Sequence, residues 1–425
     1  MKKSQVNFLI MNKTLKWKMA FHSKVLQLLL LSLFTISVNG VAVEVKGLVH
    51  LNYVKADQQS SWFDKGTGIL AYSKDSANVQ QALIELSDNF SNGLSYAVVA
   101  NYYQLGEQNV GISQAQISYK PLSSNKLRWR GRVGFFYPKL SLENVDTGWI
   151  SPFTYTQSAV NSWVGEELRT AGLELTLYSP GRSRNSAISW EFHGSVFKAN
   201  DPLGTIISWR GFAMHDRQSL NNDRVPFAAY PSVIATDRIF HPNYVEPYHE
   251  LDGNIGFYLG AHIEYYKQST LRYYYYDNQA DPLAVSQERL YGWRTKFHSL
   301  ALQHKFNGNT RVLGQWLSGS SVMGDRFVYI DFDAWYVMLS HKHKAHRVSL
   351  RFDKFKVRED DIFPWDPNNS DGHAYTVAWR YNLDKNWQIG VEQHINKNSA
   401  DIRATLDQNV QIDQQQSLAV LQFRW

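Results

Sequence analysis

Through most of the chain, apolar and polar residues alternate in runs of about ten, separated by clusters of Gly, Asn, Ser, Asp and Lys. Period two marks a β-strand whose two faces meet different surroundings. Sixteen runs can be counted: Val43–Lys55, Gln80–Phe90, Leu94–Leu105, Ile112–Leu122, Leu127–Leu140, Leu168–Ser179, Ala187–Ala199, Asn254–Gln268, Leu271–Asn278, Gly292–Phe306, Arg311–Ser318, Phe327–Lys342, a thirteenth from the Lys344–His346 corner to about Arg358, His373–Leu383, Trp387–Asn396 and Ile412–Trp425. In the fifth, Trp129, Val133, Phe135 and Tyr137 share one face and Arg128, Arg130 and Arg132 the other. In the fourteenth, Tyr375, Val377, Trp379, Tyr381 and Leu383 lie opposite Thr376, Ala378, Arg380 and Asn382. In the tenth, Arg294, Lys296 and His298 fall in step with Leu300 and Leu302, which predicts a bulge or a displaced boundary.

The connections alternate as well. Every second one is short and turn-like (SNG, SSNK, GRSRNS, ST, NGNT, KAH, DKN), and those between are longer. An even strand number with short turns at one end and long loops at the other is the pattern of a transmembrane antiparallel up-and-down β-barrel, an all-β fold with both termini periplasmic. A soluble β-sandwich or propeller would also alternate. Its large aromatics would sit in the core, whereas here they recur towards strand ends, as interfacial girdles require.

Two connections are too long for turns. The third long loop, Leu140–Leu168 (LSLENVDTGWISPFTYTQSAVNSWVGEEL), is too rich in Trp, Phe, Tyr and Val for a solvated loop. A connection of this length is usually functional, and the expectation is that residues 141–167 fold into the lumen and narrow it. The fourth, Asn200–Gly253, carries Trp209, Phe212, Phe227 and Tyr230 and reads as a folded loop able to cap or enter the pore.

Residues 1–40 read as a leader rather than as part of the fold. Lys2, Lys3, Lys13, Lys16, Lys18 and Lys24 precede the apolar run Val25–Ser37, and small residues follow, with cleavage expected after Gly40 or Ala42. That run is too short to span a bilayer, so the segment has the form of a secretory signal peptide, and residues 41–425 form the barrel. Removing the leader changes the charge picture. Without its six lysines, 38 basic residues balance 38 acidic ones, so the basic pI of the precursor implies no nucleic-acid partner. The chain has no cysteine and therefore no disulfide framework. Aromatic residues make up 14% of it.

The signal peptide, the sixteen runs, the long third loop and the terminal strand SLAVLQFRW together resemble a Gram-negative outer-membrane porin over the whole mature chain. The resemblance implies a channel for passive diffusion of small hydrophilic solutes in the cell outer membrane, surrounded by lipid and lipopolysaccharide. It also implies recognition by the barrel-assembly machinery through the last strand, where Trp425 stands in place of the usual Phe. A homotrimer follows from the resemblance alone. The ladder Arg128, Arg130, Arg132 resembles, weakly, the basic wall of anion- or phosphate-selective porins.

Three arginines on alternate residues span about 13 Å. Facing the lumen with Arg380, they would form a basic rail opposite the loop acids Glu143, Asp146, Glu166 and Glu167, setting a transverse field and a modest anion preference. Pairing with acidic neighbours would instead leave them simply solvating the lumen. Further rail candidates are Arg272, Arg347 and Arg351, countered by Glu264, Asp331, Asp333, Asp353 and Glu392 if those also face inward. The loop aromatics Trp149, Phe153, Tyr155 and Trp163 read as anchors against the wall more than as a sliding surface for solute. No metal or cofactor is expected, because His215, Asp216, Asp223, His241, His249 and Asp252 fit no ligand spacing. No catalytic residue is expected either: there is no G-x-S-x-G or H-E-x-x-H motif. The rival to a channel is a non-conducting structural or adhesive barrel closed by its own loops.

Overall fold

A computed structural model describes residues 43–425, apart from 362 and 364. The expected leader lies outside the described residues. Sixteen strands form the barrel: β1 (Glu44–Ala56), β2 (Ser76–Asn89), β3 (Leu94–Tyr103), β4 (Val110–Tyr119), β5 (Arg128–Phe136), β6 (Thr170–Ser179), β7 (Ile188–Lys198), β8 (Gly256–Tyr265), β9 (Ser269–Asp277), β10 (Arg294–Lys305), β11 (Thr310–Met323), β12 (Val328–His343), β13 (His346–Glu359), β14 (Ser370–Asn382), β15 (Trp387–Ala400) and β16 (Gln411–Arg424). Each pairs antiparallel with its neighbours in sequence, and β1 closes the barrel on β16 with Leu48 opposite Arg424. Closure leaves no sheet edge, so every backbone group of the wall can be paired within the protein, as lipid demands.

Alternation sorts the faces. Leu173, Leu175, Leu177, Leu259, Ile263, Leu300, Leu302, Val337, Leu350, Val377, Val391 and Ile395 are exposed on the outer face. A continuous apolar belt of this kind has no place in water and fits hydrocarbon. Rings cluster at its short-turn rim: Tyr119 with Trp129, Trp379 stacked on Tyr381, and Trp387 with Phe423. The barrel therefore spans a membrane. The terminal Trp425 pairs its backbone with Gly47 and lies so close that a Cβ at Gly47 would meet its indole, so the last aromatic needs a glycine on β1.

The expected strands differ from the observed ones mainly at their long-loop ends. β11 runs to Met323 and β15 to Ala400 because the polar stretches there still join the backbone ladder. β10 has no bulge. Arg294, Lys296, His298, Leu300 and Leu302 all point outward in unbroken register, the charged residues beyond the apolar belt and the leucines within it. The bulges occur instead between His50 and Leu51 and between Val99 and Ala100. β5 stops at Phe136, before Pro138, which cannot donate to a ladder. Tyr137 is consequently not on the lipid face with Trp129 and Val133; it is buried, stacked on Trp149.

Candidate functional site

The connection between β5 and β6 is anchored by side chains from the buried faces of β13, β14 and β15. Within it, α1 (Ala159–Glu167) is capped by Ser158, whose Oγ accepts from Asn161 N, and every residue of α1 is buried. Arg351 on β13 is the centre of the anchoring. Its guanidinium donates to Glu143 Oε1 at 2.9 Å, Asp353 Oδ2 at 2.7 Å and the carbonyls of Thr156 and Gln157 at 2.6 and 2.9 Å. Glu143 also accepts from Ser158 Oγ and Asn161 Nδ2, and Asp353 from Ala159 N. Glu392 on β15 accepts from the backbone N–H groups of Tyr155 and Thr156 at 2.6 and 2.8 Å. Arg380 donates to Thr154 O at 2.6 Å and covers the Tyr155 ring. Asp146 pairs with Arg424. The ion pair of Arg351 with Glu143 is fully buried, so its geometry has to satisfy nearly every polar atom it holds.

The connection between β7 and β8 packs against α1. Arg210 forms a two-pronged pair with Glu166 at 2.5 and 2.8 Å, beside His215. Arg210 and His215 together hold the Glu166 carboxyl well below its usual range against the effect of burial. Glu167 has no arginine of its own. It accepts from Ile206 N and Trp163 Nε1, yet burial pushes it up to about 7. Trp209, Phe227, Tyr230, Val233 and Ile239 form an apolar cluster with Trp293, Met323, Val328 and Ile402 at the long-loop end. Trp209 Nε1 and Ser232 Oγ donate to Asp366, tying in the β13–β14 loop. Trp163 packs among Phe212, Phe297 and Phe332, and Phe153 lies beneath Arg311 and Arg347.

A pH dependence follows from Glu167. Its carboxyl ionises near 4.5 when unfolded and near 7 when folded, so folding takes up a proton between those values. Its contribution is full below about 4.5 and is lost as pH rises through about 7. His215, held below its ordinary 6.5 by burial, works in the opposite sense below that value. Asp216 in the second loop, likewise pushed up to about 7 by burial, acts in the same sense, so over pH 6.5 to 7.5 the resistance of the two loops to added protease should fall; a fall that survives in Glu167→Gln would remove Glu167 as the cause.

The arginines of β5 share one face, but their partners are strand and turn residues and not the loop acids. Arg130 pairs with Glu191 at 2.6 Å, Arg132 with Glu174 at 2.8 Å, and Arg128 donates to Asn125 O. Asp331 and Asp333 lie on the outer face of β12, so they do not counter any interior charge. At the short-turn end a cavity of about 800 Å³ is lined by Lys120, Arg130, Lys139, Arg182, Lys267 and Arg272 against only Glu191 and Glu264. A smaller one of about 230 Å³ is lined by Lys342, Arg347, Arg380, Lys385 and Arg424 against Asp146 and Asp384. Both are open chambers in which cations outnumber carboxylates.

Solved structures share this architecture. DcaP, an outer-membrane channel of Acinetobacter baumannii, matches at a TM-score of 0.55 with 10% identity, over 92% of this chain and 99% of that one. The fold is that of the outer-membrane porins. OmpF of Salmonella typhi, solved with daunomycin, matches at 0.53 with 10% identity over 91% and 98%. OmpT of Vibrio cholerae matches at 0.52 with 7% identity over 92% and 99%. No family model matches the chain, and no characterised protein matches it in sequence. A closed sixteen-strand barrel with an apolar belt and a porin fold belongs in the outer membrane.

Several residues that organise the site escaped the sequence reading. Arg169 is wholly buried and donates to Tyr137 Oη and to the carbonyls of Ser113, Gly165 and Ser219. Arg210, Glu174 and Glu191 were likewise not singled out. For Glu174 the signal was present, since it stands opposite Arg132 on the next strand; Glu191 reaches Arg130 across β6, and both relations need the register, which composition does not give.

Proposed function

We propose that the protein is a porin-type channel for small hydrophilic solutes with a modest preference for anions. The observation that carries this reading is the pair of cation-rich chambers at the short-turn end, including Arg130 and Arg380 of the expected rail. Leu140–Leu168 narrows the path, because its backbone is bonded to side chains on the buried faces of β13–β15. Asn200–Gly253 roofs the long-loop end through the Trp209 cluster. With both in place the path is tight, so small solutes pass slowly and large ones are excluded. Arg128 and Arg132, bonded locally, shape the wall beside the chamber.

Outward-facing Arg294, Lys296, Lys354, Lys356 and Arg358 lie at the long-loop rim, where lipopolysaccharide phosphates would meet them. Trp425, seated on Gly47, is the end read by the assembly machinery. A homotrimer is the proposed assembly; OmpT of Vibrio cholerae has been solved in a trimer form. Liposome swelling with sugars of graded size tests the reading. Uptake of monosaccharides and exclusion of larger oligosaccharides is the expected result, and no uptake of any sugar would favour a barrel closed by its own loops.

A further inference from the structure

On β7 the run Glu191-Phe192-His193 places Glu191 and His193 on the interior face, and the antiparallel register sets His262 of β8 directly opposite Glu191. His193 Nε2 lies 3.3 Å and His262 Nδ1 3.6 Å from the same oxygen, Glu191 Oε2. A tetrahedral zinc site with bonds of ~2.1 Å sets its ligand atoms about 3.4 Å apart, so these atoms already have the spacing of a coordination edge.

The outer contacts orient both rings. His193 Nδ1 meets Thr176 Oγ1 at 3.1 Å and His262 Nε2 meets Tyr274 Oη at 3.0 Å. Each imidazole thereby turns its other nitrogen towards Glu191, the arrangement that holds a ligating histidine in place. His193 is buried, 2% exposed, and its Nε2 has no hydrogen-bond partner. An orphaned buried nitrogen aimed at a carboxylate needs an explanation. Glu191 and His262 line the large chamber, leaving a fourth position open to it.

We infer that Glu191, His193 and His262 form a binding site for a divalent transition metal of the zinc class on the chamber wall. Two imidazoles and one carboxylate suit such ions and not calcium or magnesium, which take all-oxygen shells. Arg130 is the competitor, since it holds Glu191 Oε2 at 2.6 Å. Metal entry displaces that guanidinium into the chamber. Arg272, also near the chamber, is tied to the carbonyls of Lys139 and Ser141 and need not move.

Calorimetric titration of the refolded, untagged barrel with Zn²⁺ tests this, with Co²⁺ absorption as a reporter of a four-coordinate site. One saturable site per chain is expected. His193→Ala and His262→Ala should each weaken it by at least ~10-fold, and Arg130→Gln should tighten it. Heat-modifiable mobility reports whether each variant folds; if a histidine variant does not, Arg130→Gln still decides through its opposite sign. Binding unchanged in the histidine variants, or no saturable binding by the wild type, would overturn the site. Calorimetry needs no conducting pore, so this outcome is separate from the fate of the channel reading.

Discussion

Arg351→Met should raise single-channel conductance while leaving the barrel folded. The substitution keeps the volume of the stem but removes every donor that Arg351 gives to Glu143, Asp353, Thr156 and Gln157. Two carboxylates would then be buried without their cation. Breaking a buried pair on one side costs about 3–5 kcal/mol, more than a loop held by local contacts can absorb without rearranging. The wall itself does not depend on this side chain, because β13 keeps its full ladder to β12 and β14. The loop should loosen, become cleavable by protease, and widen the path. A double-mutant cycle with Glu143→Gln would show strong coupling between the two sites. Conductance that stays the same while Leu140–Leu168 becomes protease-sensitive would mean that this segment does not limit the path.

The second large effect concerns charge. Replacing Arg130, Lys139 and Arg272 by Gln together should shift the reversal potential in a salt gradient towards cation preference by several-fold in permeability ratio. Three of the six cations of the larger chamber disappear against its two carboxylates, and Glu191 loses its partner, so most of the local positive excess is lost. Charges lining a narrow gap between low-dielectric walls act more strongly than the same charges in bulk water. The shift should shrink at high ionic strength, where screening shortens the reach of each charge. An unchanged reversal potential would place the chamber off the conduction path. Arg132→Gln is the less useful test, because Arg132 is buried against Glu174 and its loss would unsettle the wall.

These expectations differ in how far they could be drawn from the residues alone. The strand count, the alternation of turns and loops and the outward faces of β5 and β14 follow from period two, because lipid on one side and protein on the other force a strict alternation. The sequence reading failed where an element left the ladder. Tyr137 looked like one more lipid-facing aromatic until Pro138 ended the strand and turned it inward. The tenth run looked irregular because charged residues beyond the membrane share a face with leucines inside it; height along the strand, which periodicity ignores, resolves the conflict.

The site residues show a sharper division. Arg128, Arg130, Arg132 and Arg380 lie on the interior side; of the loop acids Glu143 and Glu166 are buried against cations, Asp146 is half-buried, and Glu167 has no arginine of its own. The cations are other ones: Glu143 meets Arg351 and Glu166 meets Arg210. Pairings across the barrel depend on where each loop comes to rest, which alternation does not encode. The cross-strand relation of Glu191 and His262 is of the same kind, since it needs the register between β7 and β8.

The most direct test of the central claim is single-channel recording of the refolded mature protein in a planar bilayer under a salt gradient, beside a form lacking Asp146–Ser162. The proposed channel should give a small, steady conductance with modest anion preference for the intact barrel and a clearly larger one after the deletion. A folded barrel that stays silent in both forms would contradict the channel reading and leave a structural barrel roofed by Asn200–Gly253.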